Sequence, residues 1–214
     1  LIAGVVQGAT GFGGAICVMM VLPHIFSMPV AAGISSIICL GLNIQMAVTY
    51  RKHLDWKLVV LPVVVTAAVA SFVIVFSRSI DGATAKKALG LFFIALCVYY
   101  LFMKKETPHG HPLGRFAGFA CIAASSVCDA LFGVGGPLMV VYFMAATRSH
   151  LSYLVAIQTY FAFANTYYTV FRLATGVMPV SVVPAALVGV ASIFVGGLLA
   201  GKLIRVLDHN LIER

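Results

Sequence analysis

The sequence predicts an all-α, polytopic integral membrane protein made of two homologous repeats of about four helices each. Three observations predict it. Of 214 residues, 62% are hydrophobic and 9% charged, against about 25% charged in a soluble domain. The apolar residues are gathered into long runs, many near the roughly 20 residues that span hydrocarbon. The chain also matches itself without a gap at an offset of 122: Gly11, Gly13 and Gly14 fall on Gly133, Gly135 and Gly136, Asn43 on Asn165, Pro62 on Pro184 and Phe72 on Phe194. Apolar composition alone does not produce matches of glycine, asparagine and proline. Repeated units with Gly-rich breaks in apolar sequence are the layout of a transporter whose site lies between its halves.

The first run, 1–26, contains Gly11-Phe-Gly-Gly14, which predicts a break with a new helix from about Ala15. Runs at 29–50, 58–76 and 88–103 follow and complete a first repeat over 1–103. The polar segment 104–115, KKETPHGHPLGR, has two prolines and two glycines and is the expected linker. The second repeat, 116–214, opens with a run at 116–147 that is too long for one span. Gly133-Val-Gly-Gly-Pro137 divides it, with a helix restarting near Pro137, since proline suits a first helical turn. Runs at 151–171 and 177–201 complete the pattern. By the offset, the first helix is truncated at its start and a last helix is missing, so eight spans are expected of the intact protein.

The net charge of +8 comes from residues between the apolar runs rather than from a basic face. That fits juxtamembrane anchoring and excludes a nucleic-acid surface. Basic residues divide seven to seven between alternate loops, so orientation is not decided. Four crossings per unit would make the repeats parallel, and a re-entrant segment at the break would make them inverted. The five cysteines lie in apolar runs without a C-x-x-C pair, as expected of buried thiols.

The Gly-rich breaks are the first site candidates. A helix starting inside the bilayer exposes free N–H groups and a positive dipole end, which attract an anion, and Gly11, Gly13, Gly14, Gly133, Gly135 and Gly136 would let it approach the backbone. Close helix packing through small residues is the competing reading. Asn43 and Asn165 are the second pair, as amide donors to an anion or as interhelical hydrogen-bond partners. Ser35, Ser36, Gln158 and Thr159 lie about two turns earlier in the same runs. Asp129, the one acid within an apolar run, is the proton-coupling candidate, or else a structural carboxylate; Gln7 takes its place in the first half. Arg51 and Arg172 close the second and sixth runs. They could draw anions toward the vestibules, but snorkelling to the interface is the reading adopted.

No metal site is predicted: His109-x-His111 in the linker has no supporting cluster. An enzyme is disfavoured as well. Ser125 and Ser126 have no histidine within a span, and neither G-x-S-x-G nor H-E-x-x-H occurs, so no catalytic residue is assigned.

At these residues the chain resembles the sulfite exporter TauE/SafE family, also called toluene sulfonate uptake permeases. The first half reads GATGFGGAICVMMVLP and then PVAAGISS; the second reads DALFGVGGPLMVVY and then AIQTYFAFAN. The resemblance implies two related halves, each with a Gly-rich first span and a Ser/Thr-bearing second span. It implies an inner-membrane, multi-pass permease for sulfite, sulfonate or sulfoacetate-type anions, without a cofactor. Gln158-Thr159 stands where the first half has Ser35-Ser36, so the halves need not supply equal ligands. The resulting expectation is an alternating-access secondary transporter with an anion site between the repeats and protons as candidate partners. An anion channel of the same architecture and an intramembrane enzyme are the alternatives.

Overall fold

A computed structural model describes residues 1–10, 12–102 and 113–212. Gly11, His109, His111 and most of the expected linker lie outside the described residues. Among the described residues there are nine α-helices and no strand: α1 Ile2–Thr10, α2 Gly14–Met19, α3 Met28–Thr49, α4 Trp56–Phe76, α5 Gly82–Phe102, α6 Arg115–Phe132, α7 Gly136–Ala146, α8 His150–Ala174 and α9 Val183–Ile212.

Local chemistry sets several boundaries. The Ser149 side chain accepts the Ser152 N–H at the start of α8, and Asp55 accepts that of Lys57 at the start of α4. Proline occupies the first turn of α3 and of α7, where its missing N–H is not needed. Both Gly-rich segments interrupt helix where the composition predicted. The ends of α1 and α6 are 122 positions apart, as are the starts of α2 and α7 and those of α3 and α8. The offset does not hold everywhere: Pro62 lies inside α4, whereas Pro184 is the second residue of α9.

Four segments, Met28–Thr49, Trp56–Ser79, Arg115–Phe132 and Val180–Leu199, are long and apolar enough to cross a membrane, and α7 is a shorter apolar helix. α4 carries the outward chemistry expected of lipid contact, with Val60, Leu61, Val64, Phe72 and Phe76 all exposed. α8 is the opposite. It buries Tyr153, Gln158, Thr159, Tyr160, Asn165, Tyr168 and Arg172. It packs along α3 and also against α4 and α7. Its polar side chains are surrounded by protein, which is where a membrane protein tolerates them. α3 and α8 run antiparallel, since Arg172 near the end of α8 reaches the carbonyl of Pro29 at the start of α3. A buried hydroxyl cluster ties α4, α6 and α8 together, with Thr66 Oγ1 2.7 Å from Ser126 Oγ and 2.9 Å from the Tyr160 hydroxyl.

Candidate anion site

The second break is built around Asp129. Gly133 ends α6 in the left-handed region, φ 66°, which glycine adopts without strain, and its N–H returns to the Asp129 carbonyl at 2.8 Å. The Asp129 carboxylate then accepts the N–H of Gly135, the residue preceding α7, at 3.1 Å. Ser125 Oγ donates to the Gly135 carbonyl at 2.7 Å. A Cβ on Gly135 would lie 2.6 Å from both Asp129 Cβ and the Ser125 carbonyl oxygen. This corrects one expectation. Gly135 is glycine because α7 starts pressed against α6, and its N–H is already held by a carboxylate of the chain itself.

The first break uses an amide in the same place. Gly13 is left-handed, φ 95°, and α2 begins at Gly14. A Cβ on Gly14 would strike the Gln7 side-chain oxygen, so this glycine too answers to packing. Gln7 Nε2 donates to Asn43 Oδ1 at 2.5 Å. That leaves Gln7 Oε1 and Asn43 Nδ2 buried without a partner among the described residues. The two breaks are similar but not identical. Gly14 and Gly135 play matching parts although the offset pairs Gly14 with Gly136. At six residues α2 also has a much shorter dipole than the 11-residue α7.

One cavity lies between the breaks. Of the expected residues, Gly13, Gly133, Gly136, Asn43, Asn165, Ser36, Asp129 and Gln7 line it. Gly14, Gly135, Gln158 and Thr159 do not; the last two are buried within α8. Arg51 is exposed in a short turn after α3. The lining also includes Ser35, named among the candidates above, and Cys39, which was not. Ser35, Cys39 and Asn43 are spaced by four and so form one helix face, a signal that was present in the sequence. Among the described residues, Ser35 Oγ, like Asn43 Nδ2, is buried without a hydrogen-bond partner. The space open to water is about 30 Å³, against the roughly 10–15 Å³ that one water needs. A sulfur oxyanion, with four or more heavy atoms, requires the cavity to widen.

Arg172 departs most from expectation. It does not snorkel to the interface but is fully buried. One terminal nitrogen donates to the Pro29 carbonyl at 2.7 Å and the other to the Ala130 carbonyl at 2.6 Å. The interface lost this side chain because two helices place carbonyls within its reach, at the start of α3 and late in α6. At the offset of 122, Tyr50 rather than Arg51 corresponds to Arg172. The hydroxyls of Ser125 and Ser126 are both engaged, donating to Gly135 and Ile122 carbonyls.

A family model described as sulfite exporter TauE/SafE matches residues 1–214. The chain belongs to this family. TauE/SafE proteins are membrane transporters of sulfur-containing anions, and the four long apolar helices agree with multi-pass insertion. Neither the curated proteins nor the solved structures gave a match.

Proposed function

We propose that this TauE/SafE protein is a secondary transporter of small sulfur oxyanions, of sulfite or sulfonate type, in the cell inner membrane. The observation that carries the reading is the cavity at the two helix breaks, with Asn43 Nδ2 and Ser35 Oγ buried there without hydrogen-bond partners among the described residues. An unsatisfied donor at membrane depth costs several kcal/mol, by order of magnitude, unless a ligand takes it. The oxygens of an anion are such acceptors. Asn43, Ser35, Ser36 and Asn165 supply the side-chain contacts in this reading, and Gly136 at the start of α7 lets the anion meet the backbone.

The size of the cavity and the antiparallel course of α3 and α8 support alternating access. A cavity this small must open to load. Helices that correspond by sequence and run in opposite directions are the arrangement of inverted repeats, which exchange inward- and outward-facing states.

Asp129 is the coupling residue in this reading. An ionised carboxylate in the lining repels an anionic substrate, and protonation removes that repulsion. The anion and a proton would then bind together and move together.

The test is uptake of labelled sulfite and sulfonates into proteoliposomes with and without a pH gradient. Accumulation against the anion gradient when a pH gradient is imposed supports the carrier. Purely passive equilibration, independent of the gradient, favours a channel. Chemical turnover of the labelled compound would indicate an enzyme.

A further inference from the structure

We propose that Arg172 is the residue that recognises the anion on its way into the central cavity, exchanging two backbone carbonyls for anion oxygens. The inference rests on the transport reading above and adds a specificity-determining residue to it.

A second and larger cavity, about 630 Å³, lies where the ends of several helices meet, and Pro29, Arg78, Gly82, Leu131, Phe132 and Gly176 contribute to its lining. Arg172 itself lines neither cavity, and we place it at the partition between them from the position of its bonding partners. Its two carbonyl partners mark the place. Pro29 lines the outer cavity, and Ala130 falls between Asp129, which lines the central one, and Leu131, which lines the outer one. The guanidinium therefore stitches α3, α6 and α8 together at the partition.

The chemistry of the bonds matters as much as their position. A guanidinium has five donors in a planar fork. Here two nitrogens hold neutral carbonyls, while the buried Nε has no partner among the described residues. Asp129 is within electrostatic reach of it. A sulfonate or sulfite offers charged oxygens at fork spacing, and its negative charge adds a Coulomb attraction to the guanidinium that a bond to a neutral carbonyl lacks. An arriving anion can thus displace the carbonyls, and doing so releases the stitch. A neutral solute of the same size cannot. The device is one-sided, because Tyr50 holds the corresponding position in the first half.

The test uses the full chain with Cys17, Cys97, Cys121 and Cys128 replaced by serine, leaving Cys39 in the central cavity as the reporter. The thiol is modified by two methanethiosulfonates of similar size, one carrying a sulfonate and one neutral. Loosening of the protein alters both rates alike, so their ratio isolates recognition of charge. In Arg172→Gln the ratio of anionic to neutral rate should fall about tenfold, the effect of losing one charged hydrogen-bonding group. In Arg172→Lys, which keeps the charge and loses the fork, it should fall by roughly threefold. If the glutamine variant does not fold, the lysine variant decides alone. A ratio equal to that of the unmodified residue in every folded variant overturns the role of Arg172. Protection of Cys39 by methanesulfonate separates this from failure of the wider reading. Protection with an unchanged ratio removes only Arg172, whereas no protection at all removes the central site and the gate together.

Discussion

Asp129→Asn separates coupling from architecture, because asparagine can still accept the Gly135 N–H that the carboxylate now holds at 3.1 Å. The substitution removes a titratable charge and little else. Its magnitude follows from confinement. An anion seated in the widened cavity, which Asp129 lines, would sit roughly 5 Å from the carboxylate, the separation used for the Coulomb estimate. Two unit charges at about that distance repel by about 3 kcal/mol at an effective dielectric constant of about 20. That corresponds to affinity on the order of a hundredfold weaker whenever Asp129 is ionised. The sign is fixed by which state binds: the anion favours the protonated acid, so binding strengthens as pH falls and weakens as pH rises. A sulfonate is the best probe, since its own charge does not change over the range. Asp129→Asn should bind it with a flat pH profile at the tight limit. It should lose uptake driven by a pH gradient and keep anion-for-anion counterflow. Gradient-driven uptake and a pH profile unchanged in the variant would refute the coupling role. Loss of both activities together with a lowered melting temperature would assign Asp129 to holding the start of α7 alone.

Three further outcomes are expected. Gly135→Ala should destabilise the protein by about 1–3 kcal/mol through overpacking, because its Cβ meets Asp129 and Ser125 at 2.6 Å. Gly136→Ala, whose nearest neighbours are at 3.7 Å or beyond, should melt close to the parent, as thermal unfolding in detergent would show. Asn43→Ala should raise the half-saturation concentration for anion uptake about tenfold, the worth of one hydrogen bond to a charged group, and an unchanged value would remove Asn43 from the site. Thr66→Val breaks the contacts to Ser126 and Tyr160 and should cost about 0.6–1.7 kcal/mol, from the average to the maximum measured for hydrogen bonds between membrane helices, without altering anion affinity.

Some of this protein could be read from the chain alone, and the reason is locality. Helices restart at Gly14 and Gly136 because glycine and proline act on their own backbone and first turn, whatever surrounds them. Membrane residence follows from summed composition, and the face carrying Ser35, Cys39 and Asn43 follows from helical period. What the glycines are for was not local. Gly135 and Gly14 looked like openings for an anion, and both instead accommodate polar side chains of the preceding helix. The convergence of Asn43, Asn165 and Asp129 on one cavity depends on how α3, α6 and α8 cross. Arg172 shows the limit most clearly. Near the end of an apolar run, a long cation with no visible partner belongs at the interface by every sequence rule. Only the packing of α3 and α6 against α8 brings the carbonyls of Pro29 and Ala130 within 3 Å of it, and backbone carbonyls carry no signature in the sequence, because every residue has one.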